Sequence, residues 1–224
     1  MKNIVTGIIG AIKEVIFPNV CIICRKASEK PVCAHCVGKL ILSHGEKSEL
    51  HSLFEGDVYC MAKYTGPFKE TFRDYKFKGE IWLGKRFAEL IAIIFENTLK
   101  AENYDFITYV PVSGDGIRSR GFDQCEEIVR PLGRITGVEI KETVVTSSLK
   151  KTQSKLDRRN RMANVRGKFK MGERAESVEG KRILLFDDIL TTGATLKEIS
   201  DILYENGAVK VDALVAATGR ADGT

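Results

Sequence analysis

The chain has 224 residues, 43% of them hydrophobic and 29% charged, the balance of a globular protein with one ordinary core and room for a small appendage. That composition excludes a low-complexity or disordered chain, and no repeat of solenoid period is present. The formal charge of +5 is a mild excess that favours an anionic partner without identifying one.

The opening stretch NIVTGIIGAIKEVIF is apolar, but it is too short to span a bilayer and is interrupted by Lys13 and Glu14. It has no small-residue cleavage site of the kind that ends a signal peptide. Ile4, Ile8, Ile12 and Ile16 recur at helical spacing, which predicts an amphipathic helix over residues 1–17 docked on the body. No membrane span is expected, and the cytoplasm is the expected location. Residues 18–56 are short and turn-rich. They hold Cys21-x-x-Cys24 and Cys33-x-x-Cys36, two pairs separated by eight residues. In a cytosolic chain this pattern argues for a metal rather than disulfides. Two such pairs suit one tetrahedral Zn²⁺ held by four thiolates, a closed site whose role is structural. His35 is a substitute ligand. Cys60 and Cys125 stand alone and read as core residues, and His44 and His51 as surface residues. A boundary near residue 56 therefore separates a helix and zinc-binding module, 1–56, from a main domain, 57–224.

From residue 58 the character changes. VYCMAKY alternates like a strand, and GPFKETFRDYKFKGE and WLGKRFAELIAIIFENTLK read as helices. DFITYV, 105–110, reads as a buried strand ended by Pro111. Residues 121–137 read as a helix, and VEIKETVVTSS as holding another strand. Residues 150–170 carry nine Lys or Arg against one acid, Asp157. MGERAESVEG reads as a loop, ILLF (183–186) as a central parallel strand, Thr195 to Asn206 as a helix ended by Gly207, and VKVDALVAAT as the last strand. Strands alternating with helices predict an α/β fold with a mainly parallel sheet.

The chemistry concentrates in ILLFDDILTTGAT, residues 183–195. A buried strand runs into two carboxylates, then a small hydroxylated turn, then a helix. Ligands of open α/β sheets bind at the carboxyl ends of strands. Thr191, Thr192, Gly193, Ala194 and Thr195 offer main-chain N–H groups at a helix start, a cradle for phosphate, and Gly193 permits close approach. Asp187 and Asp188 would repel phosphate but suit vicinal hydroxyls or a hard cation such as Mg²⁺. Together these groups describe a site for a sugar phosphate. No histidine follows His51, so a general base would be a carboxylate such as Asp187 or Asp188, or the acceptor needs none.

The string DDILTTGAT strongly resembles the phosphoribosyl pyrophosphate (PRPP) signature of type I phosphoribosyltransferases. With YTGPFKETFRDYKFKGE (64–80), VPVSGDGIRSRGFDQCEEIVRPLG (110–133), TQSKLDRRNRMANVRGKF (152–169) and the four cysteines, the chain is similar over nearly its whole length to the ComF family. That family is linked to DNA uptake in competent bacteria. The resemblance implies the type I phosphoribosyltransferase fold with an N-terminal zinc module. It implies that Asp187 and Asp188 take the ribose hydroxyls, that Thr191 to Thr195 hold the 5-phosphate, and that Mg²⁺ accompanies PRPP. It also aligns residues 148–166 with the flexible loop that closes over the type I site. Arg118, Arg120, Lys155, Arg158 and Arg159 are then candidates for the pyrophosphate or another anion. Two departures stand out: SGDG replaces an Arg-rich run after the VP dipeptide, and Asp123 replaces an Asn. Two functions follow, and the sequence leaves both open. One is transfer of phosphoribose from PRPP, in the service of DNA uptake. The other is an adapter for single-stranded DNA and a competence helicase, with PRPP binding kept as a sensor or relic.

Overall fold

The computed structural model describes residues 19–38, 54–147 and 167–219. The helix expected over 1–17, His44, His51 and the basic segment 148–166 lie outside the described residues. Among those described, no helix is long and apolar enough to cross a membrane.

After a short helix α1 (Ala34–Val37) within the cysteine segment, the chain runs β1 (Val58–Lys63), α2 (Gly66–Phe77), α3 (Leu83–Ile94), β2 (Phe106–Tyr109), α4 (Gly114–Arg120), α5 (Gln124–Thr136), β3 (Glu139–Ile140), β4 (Val144–Thr146), β5 (Phe169–Met171), β6 (Arg182–Leu190), α6 (Ala194–Glu205) and β7 (Lys210–Thr218). Helix α3 continues through a π turn, Phe95–Leu99, and a 3-10 turn, Lys100–Glu102. Five strands form one parallel sheet in the order β1-β7-β6-β2-β3. From the central neighbours β2 and β6 the chain winds outward in opposite directions, by α5 to β3 and by α6 to β7. The crevice beyond the carboxyl ends of β2 and β6 is therefore the topological switch point, where such sheets bind ligands.

Side chains of the central strand alternate between two apolar layers, as the pleat requires. Leu184 and Phe186 join the layer under α2, α3 and α5, with Phe68, Phe72, Tyr75, Phe87 and Ile128. Ile183 and Leu185 join the opposite layer, with Leu196, Ile199 and Leu203 of α6 and Val144 of β4. The sequence of strand β1 alternates, which by itself does not say how far each face is buried. It is buried on both faces, because its two sets of side chains enter the two layers. Gly84 of α3 lies so close to α5 that a Cβ there would meet the Glu127 carbonyl oxygen at 2.8 Å. That oxygen has no N–H donor one turn on, since Pro131 stands in α5.

Two elements differ from the sequence reading. VEIKETVVTSS is not one strand. Its first part, β3, extends the parallel sheet, while β4 pairs antiparallel with β5. The break falls at Thr143, whose buried hydroxyl meets that of Thr108 at 2.7 Å. Helix α4 was hidden in GDGIRSR, because glycine is a poor helix former. Ser113 caps its start, accepting from the Gly116 N–H at 3.3 Å, and Gly121 at φ +85° ends it.

Candidate sugar-phosphate site and cysteine cluster

Strand β6 extends past ILLF to Leu190, so the two acids sit within the strand rather than in the loop. Both are half-buried at the switch point. The pleat separates them. Asp187 lines a shallow, open recess together with Ile189 to Leu196. Asp188 is turned toward α2, where Lys76 Nζ lies 2.5 Å from its Oδ2. One Asp187 oxygen accepts from the Asp188 main-chain N–H at 2.8 Å. Burial, and the charge of Asp188 beside it, hold the Asp187 carboxyl above the usual carboxylate range.

The same recess is lined by Thr191, Thr192, Gly193, Ala194 and Thr195. Gly193 turns the chain into α6 at φ +80° and is its cap residue. The N–H groups of the first helical turn have no carbonyl within the helix to bond, and the helix dipole adds partial positive charge there. One carboxylate, Asp187, and the glycine turn into α6 thus line one recess, within nine residues of sequence, Asp187 to Thr195.

Across the crevice, the segment after β2 is held by Asp123. Its Oδ2 accepts from Val112 N–H at 2.8 Å, and its Oδ1 from Cys125 and Glu126 N–H at 2.9 and 3.1 Å. Asp123 is therefore the cap of α5 and the anchor of residues 110–113 at once. Of the anion candidates, the described structure contains Arg118 and Arg120, both on α4. Two residues apart on a helix, they point about 200° away from each other. Arg118 pairs with Asp115, and both are exposed. Arg120 donates to Gln124 Oε1 at 2.7 Å and lies 5.8 Å from the ring centre of exposed Phe77. They do not converge into one anion fork. Lys155, Arg158 and Arg159 lie outside the described residues. Sequence reasoning missed Lys76. Its segment, YKFKG, was quoted for the family resemblance, but nothing local pairs it with an acid 112 positions away.

Packed against the same helix, α2, the Sγ atoms of Cys21, Cys24, Cys33 and Cys36 all lie within 4.8 Å of one another, with Cys24 and Cys33 at 3.9 Å. A tetrahedron with Zn–S bonds of about 2.3 Å has edges of about 3.8 Å, so the cluster fits the ion. Burial and the neighbouring thiols push the Cys36 thiol up to about 12, a cost of crowding four sulfurs that a bound cation removes. Arg25 turns the knuckle at φ +61° and ties it to α2 and α3, with Glu80 at 2.8 Å, Asp74 at 3.5 Å and the Trp82 ring at 5.1 Å. Buried Arg86 donates to the carbonyls of Ser28, Glu29 and Lys30. Cys60 and Cys125 are buried in the two apolar layers.

Residues 86–223 match the sequence model of the Phosphoribosyl transferase domain. The chain is 32% identical over 150 residues to Competence protein ComFC of Streptococcus pneumoniae, an alignment covering 66% of this chain and 62% of that protein. It is 23% identical over 200 residues to Competence protein F of Haemophilus influenzae and 26% identical over 202 residues to DNA utilization protein YhgH of Escherichia coli. Each of these two alignments covers 86% of this chain and 87% of the relative. The five-stranded parallel sheet, with its two acids in β6 and a glycine turn after it, is the type I phosphoribosyltransferase fold, and the clustered cysteines form a candidate zinc site ahead of it. By the domain match and these relatives, the chain belongs to the phosphoribosyl transferase domain family, as a member of its ComF group.

Proposed function

We propose that this chain binds PRPP at the end of β6 and transfers its phosphoribosyl group, in the service of DNA uptake. The observation that carries this reading is one recess lined by both Asp187 and the glycine turn into α6. It offers acceptors for ribose hydroxyls and N–H donors for a 5-phosphate, in the order a ribose 5-phosphate needs. The names of the three relatives support the biological setting. We further propose that residues 1–56 act as a zinc-binding module and 57–224 as the transferase domain.

In the reaction, the C1–O bond to pyrophosphate breaks and a bond from C1 to the acceptor forms, the acceptor giving up a proton. Positive charge grows on the ribose ring as pyrophosphate leaves, and a carboxylate beside the ring would favour it. Mg²⁺, arriving with PRPP, would neutralise the pyrophosphate. Asp187 is a candidate base, since its raised carboxyl, once ionised, binds a proton more tightly than an ordinary carboxylate does. The test is calorimetric titration of the zinc-loaded protein with PRPP and Mg²⁺, beside Asp187→Asn/Asp188→Asn. Binding by wild type that is lost in the double variant supports the reading. No binding by folded wild type overturns it.

The nine basic residues of 150–170 support a second reading, an adapter for single-stranded DNA and a competence helicase. Binding to phosphate backbones weakens steeply with salt. A salt slope that disappears when Lys150, Lys151, Lys155, Arg158, Arg159 and Arg161 are neutralised supports it, and no binding at any salt removes it.

A further inference from the structure

The matched domain begins at residue 86, yet the ammonium group at the acid pair comes from α2, ahead of it. Lys76 and Asp188 are 13% and 18% exposed, so water screens their pairing little. The lysine cannot wander. Its ammonium lies 5.7 Å from the centre of the Phe72 ring. The next residue back, Tyr75, donates its hydroxyl hydrogen to the Gln124 carbonyl at 2.7 Å. Rings of Phe68, Phe72, Tyr75, Phe87 and Phe122 interlock along the same helix.

Two demands meet at this acid pair. Carboxylate oxygens accept hydrogen bonds from ribose hydroxyls, most strongly when ionised. The incoming ligand, however, is a polyanion, which two bare carboxylates repel. A fixed ammonium on Asp188 Oδ2 answers both. It offsets one negative charge and engages Oδ2, so that Oδ1 can face a hydroxyl.

Resting on the PRPP reading above, we propose that Lys76 is a positioning residue for the ribose. It orients Asp188 and lowers the charge of the pair so that a ribose phosphate can enter. Its effect falls on the ribose 5-phosphate portion of the ligand and not on the pyrophosphate. Lys76 thus gives this chain a contribution to the sugar site from outside the matched domain.

The experiment is calorimetric titration of the full zinc-loaded chain with ribose 5-phosphate and with PRPP, both with Mg²⁺. Wild type is compared with Lys76→Met, Lys76→Gln and Lys76→Arg, and thermal melting is recorded for each. The expected result is that Met and Gln weaken both ligands by the same factor, about tenfold or more as for a lost hydrogen bond to a charged group. Arg, which keeps the charge, retains most of the affinity. A leaving-group contact would weaken PRPP alone, and a mere staple between α2 and β6 would lower the melting temperature with both affinities unchanged; either result overturns the proposal. If wild type binds neither ligand, the PRPP reading fails and takes the role of Lys76 with it. If wild type binds and both neutral variants bind equally well, the role of Lys76 alone fails.

Discussion

The hydroxyl of Thr71, on α2, donates to the main-chain carbonyl of Ile22, between the first two cysteines, at 2.8 Å and out of contact with water. The same helix carries Lys76 to Asp188. The cysteine knuckle and the candidate sugar-phosphate site therefore share one strut, and Cys21, Ile22, Val32 and Cys36 belong to the same apolar cluster as Phe68 and Phe72. Metal binding at such a cluster is folding free energy. Stripping the metal with a chelator is expected to lower the melting temperature of the whole chain, not of a detached module. It is also expected to weaken PRPP binding, and added Zn²⁺ should restore both. Melting and calorimetry with and without chelator check this. A melt unchanged by metal removal would separate the two sites.

Asp123 uses both of its carboxylate oxygens as acceptors. Asparagine has one acceptor oxygen and an NH₂ group. It can cap α5, but it cannot also accept from Val112 N–H through its second terminal atom. Asp123→Asn is expected to cost about 1 kcal/mol, the net worth of one hydrogen bond. Asp123→Ala also loses the cap, for about 1 kcal/mol more. Urea unfolding of the three proteins gives the order. Because Val112 lies in the segment that follows β2 at the switch point, PRPP affinity should fall in the same order.

What the sequence disclosed is what lies close together along the chain. ILLFDDILTTGAT shows its strand, its acids and its glycine turn because each is a local requirement of the next. The cysteine spacing works in the same way. The pairing of Lys76 with Asp188 was not legible, since it depends on α2 lying over the carboxyl end of β6. The anchor role of Asp123 was half legible: an acid before QCEEIVR marks a helix cap, but its second bond reaches back 11 residues into a loop. Arg118 and Arg120 read as a basic pair in sequence, and the helical period of α4 splits them. The burial of β1 on both faces depends on helices packing over each side of the sheet, which alternation alone does not reveal.

Burial raises the carboxyl of Asp187, helped by Asp188. The native state then holds a proton there more tightly than the unfolded chain does. Stability from this group is therefore lost as pH climbs from the ordinary carboxylate range, about pH 4, through the raised native value. Asp187→Asn, which cannot ionise, is expected to be more stable than wild type at neutral and higher pH. The two should converge in acid below about pH 4, where both side chains are neutral. Thermal melts across pH check the sign. The same variant should lose ligand affinity, a trade between stability and function usual at binding sites.

Gly193 enters α6 at φ +80°, where a side chain costs about 1–3 kcal/mol. Gly137, which ends α5 at φ +77° with open space around it, provides a matched control. Gly193→Ala and Gly137→Ala are expected to lower stability by similar amounts, about 1–3 kcal/mol each. Only the first changes the turn whose N–H groups line the recess. Gly193→Ala should therefore lose affinity for PRPP and for ribose 5-phosphate, while Gly137→Ala binds both as wild type does. If both variants lose affinity alike, the loss follows general stability, and the turn into α6 has no special part in holding phosphate.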